Sequence, residues 1–306
     1  MSKKNAESGA QRFDKYYREI YRDRWECLKD AMLKDSNPIM LSSAFAKNES
    51  AYCFDEPYYM DKASILAACM LPVKKGDKVL DMCAAPGGKT LVLASKLNGS
   101  GTLVSNDRSA SRRSRLAKVV DTCLQMQAKG NIRVTGHDSS TWSLYEKDAY
   151  DCVLLDAPCS SERHVLNDAA ELSIWGHTRP KRLAVQQFAM LAAALDAAVD
   201  GGYILYSTCS INPEENEKVI GKLEHKRNGL FEEIPLSKMV EDIKEGVLTN
   251  KFNSLYVEEL EHGSIVLPDK SYLCGPLYFC LLRKHSSQKG QNSGDRAATG
   301  YEENDI

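Results

Sequence analysis

A chain of 306 residues, 43% apolar and 27% charged, is long enough for one large α/β domain with extensions and has the composition of an ordinary soluble globular protein. Its net charge of −2 neither demands nor excludes a polyanionic partner, because positive charge can be gathered on one face. The start, MSKKNAESGAQRF, lacks the apolar core of a signal peptide, and nowhere is there a membrane-length apolar run of about 18 residues, so a cytoplasmic, non-membrane chain is expected. In a reducing compartment the ten cysteines are not a disulfide framework, and without a Cys-x-x-Cys pair they suggest no metal.

In chain order, the first predicted element is an amphipathic helix over 12–34, where Phe13, Tyr16, Tyr17, Ile20, Tyr21, Trp25, Leu28 and Met32 recur at helical spacing between basic residues. It reads either as packed against a main domain or as a surface for a polyanion. Residues 1–50 form this short N-terminal extension, 51–284 the main domain, and 285–306, polar and rich in Gly and Ser, a disordered tail. Short apolar runs at 78–82, 102–106, 132–136, 151–156 and 202–208 alternate with helical stretches at 89–97, 111–126, 181–199 and 213–227. Val-, Leu- and Ile-filled strands alternating with helices imply a mostly parallel, doubly wound sheet covered on both faces. Runs at 264–267 and 276–282 add an antiparallel edge, while 230–261 reads as an insertion.

The turn between the first strand and its helix reads DMCAAPGGKT, with Gly87 and Gly88 at a helix N-terminus. Ligands of open parallel sheets bind beyond the carboxyl ends of the strands, and Ala84, Ala85 and the glycine pair allow close approach to the backbone. Free helix N–H groups suit a carboxylate such as the amino-acid end of S-adenosylmethionine. The spacing is neither that of a P-loop nor G-x-G-x-x-G. Asp107 ends the second strand, positioned for ribose hydroxyls, and Asp138 closes the third, within reach of an adenine amino group. Three successive strand ends thus point to a nucleoside cofactor without naming the reaction.

The fourth strand runs into DAPCSSERH and the fifth into YSTCS, bringing Asp156, Cys159 and Cys209 to the same sheet edge. Such a set suits methylation of carbon 5 of a cytosine. A thiolate adding to carbon 6 makes carbon 5 nucleophilic, and Asp156 could hydrogen-bond the base edge and stabilise the adduct. Position alone leaves open which cysteine attacks.

The segments DMCAAPGGKT, NDRSASRRSRL, DAPCSSERH and YSTCS together resemble the Sun-domain (Fmu-like) family of RNA cytosine-5 methyltransferases over about Tyr52 to Lys284, and GPLYFCLLRK is similar to the family's last strand, notably that of its mitochondrial small-subunit rRNA member. The resemblance implies a Rossmann-like class I S-adenosylmethionine-dependent methyltransferase fold. It makes Cys209 the nucleophile and Cys159 the residue assisting release, whereas DNA cytosine-5 enzymes attack with the Pro-Cys cysteine. It carries the cofactor over to Cys83, Ala84, Ala85, Pro86, Gly87, Gly88, Lys89, Asp107, Arg112, Asp138 and Asp156. It favours rRNA over tRNA, and with no separate RNA-binding module expected it implies targeting through a ribosomal particle or a protein partner.

A cytosine must leave its stack to reach a buried thiolate. Arg112, Arg113, Arg115 and Lys118 lie on one predicted helix, and Arg163, His164, Arg179, Lys181 and Arg182 follow Cys159. Pro180 fits a helix's first turn, and Arg179 and Lys181 are the expected phosphate contacts. Trp175 could stack on a base or pack internally. The competing readings are a tRNA or non-RNA methyltransferase and a catalytically silent RNA-binding assembly factor.

Overall fold

The computed structural model describes residues 7–45, 53–239 and 248–285. The extension forms two helices, α1 (Gly9–Tyr21) and α2 (Trp25–Leu33), where the spacing suggested one. Ser8 caps α1 by accepting from the Gln11 N–H while the Gln11 side chain accepts from the Ser8 N–H, a reciprocal pair that satisfies otherwise orphan donors. The chain breaks at Arg22 (φ 50°), which turns Trp25 back to stack on Tyr17 at 5.5 Å. Phe13, Tyr17, Trp25, Leu28 and Met32 are all buried. Each contributes roughly 1.5–3 kcal/mol by leaving water, more than this helix pair could gain alone. Of the two sequence readings of this segment, packing against the main domain describes its apolar face. Arg24 locks the arrangement with hydrogen bonds to Glu258 and Asp269 from the far end of the chain, at 2.6–2.9 Å.

A small ribbon, β1 (Ile39–Met40) with β2 (Tyr59–Met60), precedes α3 (Lys62–Met70), whose N-terminus Asp61 caps by accepting from Ala63 N–H. The parallel part of the main sheet then comprises β3 (Lys78–Asp81), β4 (Thr102–Asn106), β5 (Ile132–Thr135), β6 (Tyr150–Asp156) and β7 (Ala198–Thr208). Between these strands lie α4 (Gly88–Leu97), α5 (Ala110–Cys123), the short α6 (Met126–Lys129), α7 (Glu162–Asn167), α8 (Ala169–Ser173) and α9 (Thr178–Ala197). After them come α10 (Glu217–Lys226), β8 (Phe231–Glu233), β9 (Val257–Glu259), β10 (Ser264–Val266) and β11 (Leu277–Lys284).

The order across the sheet is β5-β4-β3-β6-β7-β11-β10-β9, with β8 also on β11, and everything beyond β7 is antiparallel. The expected doubly wound sheet with an antiparallel edge is therefore present. The edge is larger than the two late runs suggested, because the segment over 230–261 supplies β8 and β9; residues 240–247 within it, and 286–306 of the expected tail, lie outside the described residues.

Strand alternation builds two cores. Val79, Leu103, Leu154 and Leu205 face α3, α4 and α5. Leu80, Val153, Leu155, Ile204 and Tyr206 face α1, α2, α9 and α10. Because the chain runs outward from β3 through β4 to β5 and then returns to β6 on the other side of β3, the order reverses between β3 and β6. That switch point is where the carboxyl ends of a doubly wound sheet open a crevice.

Candidate active site

The crevice is entered by the turn between β3 and α4. Gly87 has φ +124°, and a Cβ there would lie 3.0 Å from Val119 Cγ1; a Cβ on Gly88 would lie 3.0 Å from the Tyr58 ring. Only glycine keeps this turn tight against α5 on one side and the ribbon on the other. Below the turn is Asp81, the last residue of β3, fully buried. Its Oδ2 accepts from Thr90 Oγ1 at 2.7 Å, while Oδ1 has no partner among the described residues. Burial, against the Thr90 hydrogen bond and with the nearby charges of Asp156 and Asp107, raises its pKa to about 7. An unpaired buried carboxylate oxygen beside a backbone cradle is the signature of a group meant to be met by a cationic or donor ligand.

Tyr58, Met60, Ser64, Asp81, Lys89 and Asp156, with the turn residues Cys83, Ala84, Ala85, Pro86 and Gly88, enclose a cavity of about 170 Å³. On the other side of Cys83 a second cavity, of about 350 Å³, is lined by Asp107, Arg112, Asp138, Ser139 and Pro158 among others. The structure thus brings the sequence-derived cofactor residues, all but Gly87, which shapes the turn behind them, to two adjoining hollows. Asp107 is held by Ser109 N–H at 2.9 Å and lies 3.1 Å from Arg112, which also donates to the Ala85 carbonyl and so ties the turn to the second strand end. Asp138 lines the hollow and also caps the following turn, accepting from the Ser140 hydroxyl and N–H and from Arg108, which together hold its pKa below the usual carboxylate value. Cys83 is buried, its thiol pushed up to about 12, and serves as lining rather than as a nucleophile.

The candidate reacting groups, Asp156, Cys159 and Cys209, sit where β6 and β7 end. Pairing in register sets Asp156 beside Ser207, whose Oγ donates to Asp156 Oδ1 at 2.8 Å, while Lys89 Nζ donates to Oδ2 at 2.8 Å. Burial works against charge on Lys89, but Asp156 outweighs it and raises the lysine above its ordinary value. The Cys159 and Cys209 sulfurs are 2.9 Å apart, with Ser161 Oγ 3.2 Å from Cys209 and 3.5 Å from Cys159. The two thiols titrate in opposite senses. Hydrogen bonds from Cys159 and from Ser161 hold Cys209 below the ordinary thiol value, with burial opposing. Cys159, by its link to Cys209 and then by burial, is driven well above. Cys209 is densely enclosed yet remains open to solvent, the condition a nucleophile needs.

Behind the thiols lies a buried hub that the sequence reading missed. Glu215 accepts from Ser160 N–H and from Gln187 Nε2, both at 2.9 Å, and from Ser210 Oγ at 3.1 Å. Glu162 accepts from Ile211 N–H at 3.0 Å and from Tyr17 OH at 2.6 Å. Ser160 Oγ also bonds both carboxylates. Residues directly following each cysteine are thereby pinned to one another and to α1. The two glutamates stand close behind the Cys motifs in the sequence, which was the available signal; Asp81 had none beyond ending the strand before the turn.

Of the expected RNA contacts, Arg179 lines a cleft beside Cys159 but is ion-paired to Glu171 at 2.9 Å, and Lys181 is exposed outside that cleft. Arg163 donates to the carbonyls of Leu273 and Gly275, and Trp175 is 2% exposed and packs on Phe13, Tyr16 and Tyr17.

A doubly wound sheet with a glycine turn, acidic strand ends and paired thiols at its switch point defines an α/β protein of the S-adenosylmethionine-dependent methyltransferase class. The sequence profile described as 16S rRNA methyltransferase RsmB/F matches residues 68–254, and the chain belongs to that family. It is 39% identical over 233 residues to the 5-cytosine rRNA methyltransferase NSUN4 of Bos taurus, covering 74% of this chain and 59% of that relative. It is 35% identical over 193 residues to the ribosomal RNA small subunit methyltransferase F of Erwinia tasmaniensis, covering 61% of this chain and 37% of the other. The chain therefore spans less than two thirds of these relatives' lengths. Its fold is shared with the crystal structure of a methyltransferase homolog protein from Pyrococcus horikoshii (TM-score 0.63, 20% identity, 89% of this chain and 94% of that one).

Proposed function

We propose that this chain methylates carbon 5 of a cytosine in small-subunit ribosomal RNA, using S-adenosylmethionine. The observation that carries the reading is the thiol pair at 2.9 Å, with Cys209 favoured as thiolate and Cys159 as thiol, next to the Lys89–Asp156 pair. Family membership and the activities for which the relatives are named point the same way.

The residues fit the cofactor. The open oxygen of Asp81 and the glycine turn suit its amino-acid end, and Asp107, braced by Arg112, and Asp138 suit its nucleoside. Bound there, it would supply an electrophilic methyl group. On the protein side, Cys209 Sγ bonds to carbon 6 of the cytosine, and the electron pair of the carbon 5–carbon 6 double bond becomes available at carbon 5. Asp156, itself held by Lys89 and Ser207, presents a fixed hydrogen-bonding edge to the base. After methylation carbon 5 loses its proton to a base, the double bond re-forms, and the carbon–sulfur bond breaks with its pair returning to Cys209. Cys159, kept protonated, donates to the departing sulfur and stabilises it as thiolate.

Trapping tests this directly. With S-adenosylmethionine and total RNA of the source cell, Cys159→Ala should accumulate a stable protein–RNA adduct while Cys209→Ala gives none, and sequencing the trapped RNA should return small-subunit rRNA. An adduct from Cys209→Ala alone would transfer the attack to Cys159, and no RNA adduct from either would overturn the reading.

A further inference from the structure

Next to Cys159 a cleft of about 560 Å³ opens between the end of α8 and the start of α9. Its lining includes Ile174, Trp175, Arg179, Arg182 and Leu183. Two properties mark it as a binding site rather than a packing fault. Ile174, 78% exposed, is a large apolar side chain held on the rim with nothing over it. Arg182 is exposed and carries no ion pair among the described residues, in contrast to Arg179, which Glu171 neutralises. An apolar shelf and an uncompensated guanidinium in one cleft call for a ligand with a flat ring and a negative charge. A nucleotide has both.

The wall is rigid. Arg12 of α1 donates through Nε and Nη2 to the Trp175 carbonyl at 3.2 and 2.8 Å, and Trp175 is wedged against Phe13 with ring centroids 5.1 Å apart. The cleft also shares Cys159 with the reaction centre, so its occupant lies directly beside a base placed on Cys209.

We propose that this cleft seats the nucleotide immediately flanking the target cytosine, its base against Ile174 and the Trp175 edge and its phosphate on Arg182. The proposal rests on the RNA reading above and adds to it a second base position, through which the chain grips the strand once the cytosine has been withdrawn from its stack.

The test is steady-state methylation of a short synthetic RNA strand spanning the cytosine that the wild-type protein methylates. Arg182→Ala should raise KM for RNA about tenfold, with kcat and the S-adenosylmethionine KM unchanged, and should reduce the slope of log KM against log salt by about one. Arg182→Lys should restore most of the loss. Lys181→Ala, a neighbouring exposed cation outside the cleft, should change KM by no more than about twofold. Replacing one of the two flanking nucleotides by an abasic residue should raise the wild-type KM by about fivefold and leave the KM of Ile174→Ala unaltered. Equal effects of Arg182→Ala and Lys181→Ala, or insensitivity to both abasic positions, would overturn the subsite while wild-type methylation of RNA still upheld the reaction. Failure of the wild-type protein to methylate RNA at all would overturn both.

Discussion

Glu215 is the group whose removal tests the geometry most sharply. It is fully buried, and burial followed by the adjacent negative charge of Glu162 raises its pKa to about 7. A carboxyl whose folded pKa lies above its ordinary value of 4.5 binds more protons folded than unfolded across that interval. Its contribution to stability is therefore fully present below about pH 4.5 and is lost as pH rises towards 7, by about 3 kcal/mol at most. Glu215→Ala also leaves the Ser160 N–H and the Gln187 amide without their buried acceptor. At about 1–3 kcal/mol for each orphaned donor, the variant should lose about 4 kcal/mol at pH 5 and only about 1 kcal/mol at pH 8, where the wild type has given up its protonation advantage. Glu215→Gln, which mimics the protonated form, should cost about 1–2 kcal/mol at pH 5 and should be about 1–2 kcal/mol more stable than the wild type at pH 8. Thermal melts from pH 5 to 8 at fixed ionic strength read this as Tm shifts of about 2–4 °C per kcal/mol. A difference between wild type and Glu215→Gln that is constant, or that grows with pH, would refute a carboxyl held partly protonated in this hub.

Two further outcomes follow from the cofactor side of the site. Asp81→Asn keeps the bulk of the buried side chain but removes the charge, and should weaken S-adenosylmethionine binding about 10- to 100-fold by calorimetry. In the wild type, affinity should improve as pH rises through about 7 and Asp81 ionises, and the variant should lose that dependence. Gly87→Ala must hold φ +124° and push a Cβ to 3.0 Å from Val119, so about 1–3 kcal/mol of stability should go, with cofactor affinity falling in parallel; an unchanged Tm would show that the turn can relax.

The parts legible in the sequence are those whose physics is local. Strand runs such as 78–82 and 102–106 carry consecutive apolar residues, Val79–Leu80 and Leu103–Val104, because both faces of the parallel sheet are covered, and the glycine pair marks a turn that no side chain could enter. The antiparallel edge was only half visible. β8 and β9 are three-residue strands whose pairing is decided by β11 and β10, not by their own pattern, so the segment over 230–261 looked like an insertion. The extension misled differently: aromatic spacing over 12–34 is helical throughout, and only the tertiary stacking of Trp25 on Tyr17 explains why the chain turns at Arg22. Arg179 was a sound choice by position, yet the ion pair with Glu171, one helix earlier, is invisible without coordinates and moves attention to Arg182.

The hub and the cleft together give the N-terminal helix a place in the candidate site. α1 reaches it twice, through Tyr17 OH on Glu162 and through Arg12 on the Trp175 carbonyl. The first contact bears on the loops that carry both thiols, since Glu162 also holds Ile211 N–H just beyond Cys209 and shares Ser160 just beyond Cys159. The second fixes the wall of the cleft beside Cys159. Two thiols held 2.9 Å apart and shifted in opposite senses need loops that cannot drift, because a shift of even an ångström would dissolve the hydrogen bond that sets them apart. The sheet alone does not supply that rigidity: Cys159 and Cys209 both lie just past their strand ends. A buried two-carboxylate knot, closed by a tyrosine from a helix at the other end of the sequence, does supply it. The amphipathic face that packs against the main domain is thereby part of what fixes the positions of Cys159 and Cys209.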